Sequence, residues 1–295
     1  MALPIFKIYL VGLFMPELID VPAPGVGTAI RGGVILYKYR SDIQAYWKKL
    51  QVMLGLGRVN VVVTGRAGSG KSSLTSLWHG EANDLAWVSP VAASTDVEIK
   101  PISIGDWTKI VHVIPGQNSR ERILGMEVAF ASKSCAEGVV HVVDWGYTTI
   151  RTSASVSALM AEGVDTIDKL RSVNLQKELN EFSEVCERIR NAAISGGLPK
   201  WLVIVINKAD LFFNDLAKAE SYYSPHGNSA FSKILSEKLT GVIGAANIKI
   251  EVVAVSSLTK KYSWNGVEIS PQIVDVDLHR SYLRSFFDTV AHVAR

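Results

Sequence analysis

"VNVVVTGRAGSGKSS", residues 59–73, decides how the rest of the chain is read. A β-branched run ends in a glycine-rich turn, and a helical pattern opens at Lys71. Gly65, Gly70, Lys71 and Ser72 occupy the fixed positions of G-x-x-x-x-G-K-[ST], with Arg66, Ala67, Gly68 and Ser69 between them and Ser73 behind. Such a turn lets backbone N–H groups face inward around an anion, and the helix start adds the positive end of its dipole. The pattern predicts a phosphate-binding loop, with Lys71 on the β- and γ-phosphates and the Ser72 hydroxyl on Mg²⁺.

Working outward, six short apolar runs read as strands: 59–64, 97–104, 109–114, 139–144, 201–206 and 249–255. Helical patterns separate most of them, as in βαβ units with a mostly parallel sheet. The short Gly105-Asp106 connection makes 97–104 and 109–114 an antiparallel hairpin. The chain has 295 residues, 48% hydrophobic and 20% charged, which suits one large α/β domain with or without an appendage. A net charge of +3 is too small to argue for a nucleic-acid partner. Cys135 and Cys186 are far apart and offer no disulfide framework, and no run reaches the ~18 apolar residues of a membrane span. These features lead us to expect a cytoplasmic protein.

A phosphate loop does not choose a base. "NKAD", residues 207–210, directly follows the WLVIVI strand. An Asp at this place accepts from guanine N1 and the exocyclic amine, a donor pair that adenine lacks, so Asp210 selects GTP or GDP over ATP. Lys208 lies along the base, and Asn207 ties the motif to the phosphate loop. Ser256, Ser257 and Leu258 follow the last strand, where backbone groups meet the guanine oxygen.

With these motifs in this order, residues 58–295 resemble the Ras-like P-loop GTPases of the translation-factor-related class. The resemblance implies a six-stranded, mostly parallel sheet with one antiparallel hairpin and helices on both faces. It also implies GTP and GDP as ligands, Mg²⁺ as metal, and effector and GTPase-activating proteins as partners. A family threonine that meets Mg²⁺ and the γ-phosphate is matched by Thr95, although Ser89 and Ser94 lie in the same loop. Ser72 and Thr95 are thus the metal candidates.

"HVIPGQ", residues 112–117, falls on the family's D-x-x-G-Q. Gly116 stands where an amide meets the γ-phosphate, and Gln117 where a glutamine orients the attacking water. With Lys71, these are the catalytic candidates. Val113 replaces the aspartate that helps hold the magnesium. "VIPGQ" is similar to the "TVPGQ" of bacterial MglA-like and Arf-like GTPases, a distinct branch rather than a broken enzyme. Asp96, Glu98 and Asp144 are candidate replacements for the lost carboxylate; Arg66, Arg120 and Arg122 are candidate arginine fingers, although Arg120 and Arg122 read first as solvated residues of a surface helix.

The interval from Gly116 to Asn207 is long for the family, which places an insertion around 145–178. "TSASVSALMAEG" (152–163) reads as a loop, followed by a helix carrying Leu175, Leu179, Phe182, Cys186 and Ile189 on one face. Residues 1–57 form an N-terminal extension ending in an amphipathic helix. Up to Arg58 the chain carries seven Lys or Arg against three Asp or Glu, hence +4, while the remaining 24 basic and 25 acidic residues give −1. The extension fits a helix docked on the core, a partner, or a peripheral membrane contact. Three function classes follow: a GTP-hydrolysing switch acting through partners, a GTP-binding adaptor or membrane-receptor subunit with little or no hydrolysis, and a phosphate-loop enzyme such as a kinase.

Overall fold

The computed structural model describes residues 61–79, 98–104, 107–116, 120–131 and 135–294. The N-terminal extension, Thr95, Asp96 and Gln117 lie outside them.

Six strands form one sheet in the order β2-β3-β1-β4-β5-β6. They are β1 (Val61–Thr64), β2 (Glu98–Ile104), β3 (Trp107–Val113), β4 (Gly138–Val143), β5 (Trp201–Ile206) and β6 (Lys249–Ala254). β1 runs parallel to both β3 and β4, and β4, β5 and β6 continue in parallel. Only β2 is antiparallel, paired along its length with β3. Every residue of β4 and β5 is buried, so these strands read as continuous apolar runs rather than alternating ones.

Alternate residues serve two cores. Val62, Val139, Leu202 and Ile204 pack on one face with helices α2 (Arg120–Ala129), α4 (Ile167–Ile194), α5 (Leu216–Tyr223) and α6 (Ala230–Leu235). Val61, Val63, Val140 and Val203 pack on the other with α1 (Lys71–His79) and α7 (Val276–Val293), through Leu74, Trp78, Phe286 and Val290. Parallel connections put helices on both faces, and both faces are apolar for that reason.

Three expectations need correcting. Residues 152–163 are not a loop: Ser153–Ala161 is a helix (α3), because Thr152 Oγ1 accepts from the Ser155 N–H and Ala, Leu and Met carry the turns. In α4 polar Asn174 and Glu178 occupy the buried face between Leu170 and Leu179, and Leu175 is only half-buried. A second, two-stranded sheet was also not foreseen: β7 (Tyr262–Trp264) and β8 (Val267–Ile269) form a hairpin around Asn265-Gly266.

The order matters for function. Strand direction of travel reverses at β1, whose neighbours are β3 and β4, and such a switch point opens a crevice at the carboxyl ends of the strands. Gly65, Ile114, Asp144, Asn207 and Val255 follow β1, β3, β4, β5 and β6 at that edge.

Candidate functional site

The glycine-rich loop read as phosphate-binding is held from three sides. Lys71 Nζ donates to the carbonyls of Gly65 (2.7 Å) and Arg66 (2.8 Å). Asn207 Nδ2 donates to the Ser69 carbonyl (2.8 Å), and Asn207 Oδ1 accepts from the Ser257 N–H (3.0 Å). One side chain therefore joins the loop after β1, the NKAD turn and the loop after β6. Gly70 makes this possible: a Cβ there would stand 2.2 Å from Asn207 Nδ2. On the opposite side the Ala67 N–H donates to the Gly116 carbonyl (3.2 Å), and a Cβ on Gly116 would lie 2.1 Å from the Ala67 nitrogen. Pro115-Gly116, in the stretch read as the second switch, thus touches the glycine-rich loop after β1 directly.

Burial pushes the Lys71 ammonium down to about 8, partly offset by the charge of Glu181. A cation held between the carbonyls of Gly65 and Arg66 and poorly solvated gains by meeting anionic oxygens, which favour its charged form.

Lys208 runs toward the loop, donating to the carbonyls of Gly68 (2.7 Å) and Tyr147 (2.6 Å) and to Asp144 Oδ2 (2.8 Å). Asp144 is fully buried and also accepts from Thr148 Oγ1 (2.8 Å). Both of its oxygens are thus taken, one by Lys208 and the other by Thr148.

Asp210 is 1% exposed. Its Oδ1 accepts from Ser256 Oγ (2.6 Å), while its Oδ2 is buried with no hydrogen-bond partner among the described residues. Burial raises its carboxyl above the ordinary value, with the Ser256 hydrogen bond opposing. A cavity of about 540 Å³ adjoins, lined by Gly68, Gly70, Lys208, Leu258, Tyr262 and Trp264 among others. Arg151, Lys260 and Lys261 also line it, which suits a polyphosphate. Asp210 stands behind this lining rather than in it.

Two of the three candidate arginines are engaged. Arg122, expected on the surface, is 3% exposed and pairs with Glu181 (2.6 Å) and Glu184 (2.8 Å) of α4. Arg66 Nη1 donates to the carbonyl (3.1 Å) and side-chain oxygen (3.2 Å) of Asn174, also on α4. The region read as an insertion is therefore a brace for the phosphate loop. Sequence reasoning missed Asn174, Thr148 and the β7–β8 hairpin as parts of the site. "DWGYTT" had a usable signal in its place at the carboxyl end of a buried strand.

Ser72, a metal candidate from the sequence, stands at the start of α1. Its hydroxyl donates to Glu98 Oε1 (3.3 Å), so a hydroxyl and a carboxylate oxygen meet at the start of α1. Hard oxygen donors of this kind suit Mg²⁺. Among the described residues no group of three or more His, Cys, Asp or Glu gathers as a metal cage, and Mg²⁺ usually relies on phosphates and waters instead.

No protein-family model matches the chain, and no curated protein does. Among solved structures it is similar to the signal recognition particle receptor SRb-GTP/SRX complex from Chaetomium thermophilum, at 13% identity, TM-score 0.43, over 69% of this chain and 92% of that one. It is also similar to the Arl6 BBS3 small GTPase from Trypanosoma brucei with bound nucleotide analogue GppNp (15% identity, TM-score 0.36, 78% and 98% covered). A third likeness is the mammalian SRP receptor (14% identity, TM-score 0.43, 79% and 99% covered). At these identities and scores the likeness says nothing about what this chain binds or does. Among the described residues no helix is long and apolar enough to cross a membrane.

Proposed function

We propose that the chain is a guanine-nucleotide switch that binds GTP and GDP with Mg²⁺, hydrolyses GTP to GDP and phosphate, and acts through partner proteins. The carrying observation is Asp210: one carboxylate oxygen is oriented by Ser256 and the other is buried without a partner. A buried acceptor left unmade costs about 1–3 kcal/mol, and the N–H pair of guanine is the complement that would relieve it. Because the carboxylate lies behind the cavity lining, base entry on this reading uncovers it. Asn207 transmits that event to the phosphate loop through Ser69.

Within the site, Lys71 and the loop amides hold the β- and γ-phosphates, and Ser72 with Thr95 would hold the metal. Mg²⁺, when bound, neutralises charge developing on the transferred phosphoryl group. Gly116 lies against Ala67, and on this reading Gln117, the next residue, orients the attacking water.

The second reading, a GTP-binding adaptor with little hydrolysis, is favoured by Arg66 and Arg122 being tied to α4. On the switch reading, by contrast, a partner supplies the arginine that stabilises the transition state. The test is to purify the chain, identify the co-purified nucleotide by mass spectrometry, and follow phosphate release with and without Mg²⁺. A chain that carries and retains no guanine nucleotide would sink both readings.

A further inference from the structure

Val113 creates a deficit that its own neighbour can meet. β3 ends at Val113, and the residue directly opposite it on β2 is Glu98. Directly opposed residues of an antiparallel pair project from the same face of the sheet. Val113 lies in the core shared with α1, so that face points at the helix that starts with Lys71 and Ser72. Glu98 accordingly reaches Ser72, its Oε1 accepting from the hydroxyl at 3.3 Å, and its charge acts on Lys71 as well.

We infer that Glu98 is the carboxylate of the magnesium site, moved by one cross-strand step from the position that Val113 vacates. This rests on the guanine-nucleotide reading. Ser72 Oγ can donate its proton to Glu98 and still offer a lone pair to a cation, and the negative partner raises the basicity of that oxygen. Glu98 is therefore a positioning residue: it fixes the Ser72 hydroxyl and adds the negative charge a hydrated divalent cation requires. Asp144 cannot share this task, because Lys208 and Thr148 hold its oxygens at the base side of the site.

The experiment loads the full chain with a fluorescent GDP analogue and measures its release while Mg²⁺ is titrated, with an EDTA arm. For Glu98→Gln, which keeps the size and the acceptor for Ser72, release in EDTA should match wild type. Its Mg²⁺ midpoint for slowing release should rise about 10–100-fold, the range for loss of an outer-shell partner. Adding Val113→Asp to Glu98→Gln returns a carboxylate to the same face and should bring the midpoint back toward wild type. An unchanged midpoint in Glu98→Gln, faster release in EDTA with the same Mg²⁺ ratio, or a double variant as weak as the single one would each overturn the inference. Wild-type protein that holds no GDP analogue would overturn the nucleotide reading and this inference together, whereas wild-type retention with an unmoved Glu98→Gln midpoint overturns this inference alone.

Discussion

Lys208 Nζ stands 2.8 Å from Asp144 Oδ2, in a pair whose carboxylate is fully buried and whose ammonium side chain is 14% exposed. The pair joins the carboxyl ends of β4 and β5, and the Gly68 carbonyl extends it into the phosphate loop. Removing one member leaves the other as an unmatched charge in a poorly solvated place. Asp144→Ala should therefore destabilise the fold by about 3–5 kcal/mol. Urea unfolding of the nucleotide-free chain is the measurement. A loss below about 1 kcal/mol, the usual value of an exposed pair, would show that the bond contributes little.

Asp210→Asn should turn preference from guanine toward xanthine nucleotides. Ser256 fixes Oδ1, so the amide nitrogen of the variant would take the place of Oδ2 and donate to the xanthine O2. Competition binding with GTP, XTP and ATP reads the outcome. Retained GTP preference would remove Asp210 from the base site.

Lys71 gives a pH dependence with a definite sign. In the free chain its pKa is lowered from 10.5 to about 8, chiefly by burial. Phosphate favours the charged form, so above pH 8 binding takes up a proton and affinity should fall about tenfold per pH unit until the bound pKa is reached. Stability of the nucleotide-free chain moves the other way. Between about 8 and 10.5 the unfolded state binds more protons, so Lys71 makes the fold more stable as pH rises through that window. Calorimetry in buffers of different ionisation enthalpy detects the proton uptake directly. Lys71→Ala should abolish that uptake and most triphosphate binding.

These features differ in how openly the sequence carried them. The glycine-rich loop after β1, the NKAD turn and the turn after β3 were legible because backbone geometry dictates residue type there: Gly70 is needed by the approach of Asn207, and Gly116 by the approach of Ala67. The sheet was legible because β4 and β5 are buried on both faces and read as unbroken apolar runs. Arg122 was misread because a charged residue on an exposed-looking helix is buried only when another element supplies its partners, here Glu181 and Glu184 some sixty positions away. Residues 152–163 were misread because small residues signal loop and helix alike until Thr152 is recognised as a cap. The pairing of Glu98 with Val113 was hidden for another reason. Register across a hairpin depends on turn geometry, which the two strands alone do not specify.

The final prediction concerns turnover. Gln117 lies outside the described residues, but Gly116 beside it is pressed against Ala67, so the switch begins in contact with the loop that would hold the γ-phosphate. On the proposed reading, the glutamine one residue beyond that contact orients water in the transition state and adds little to ground-state binding. Gln117→Ala should then lower the single-turnover hydrolysis rate at saturating Mg²⁺ while GTP affinity stays near wild type, the signature of an interaction made only in the transition state. The wild-type rate itself should be slow, because Arg66 and Arg122 are both bound to α4 and an arginine finger is worth about 10³–10⁵ in rate. Freeing Arg122 by Glu181→Gln and Glu184→Gln should leave turnover slow if a partner supplies the finger, and raise it if Arg122 does. Equal hydrolysis by Gln117→Ala and wild type would mean that "VIPGQ" is no catalytic switch, and the adaptor reading would stand in its place.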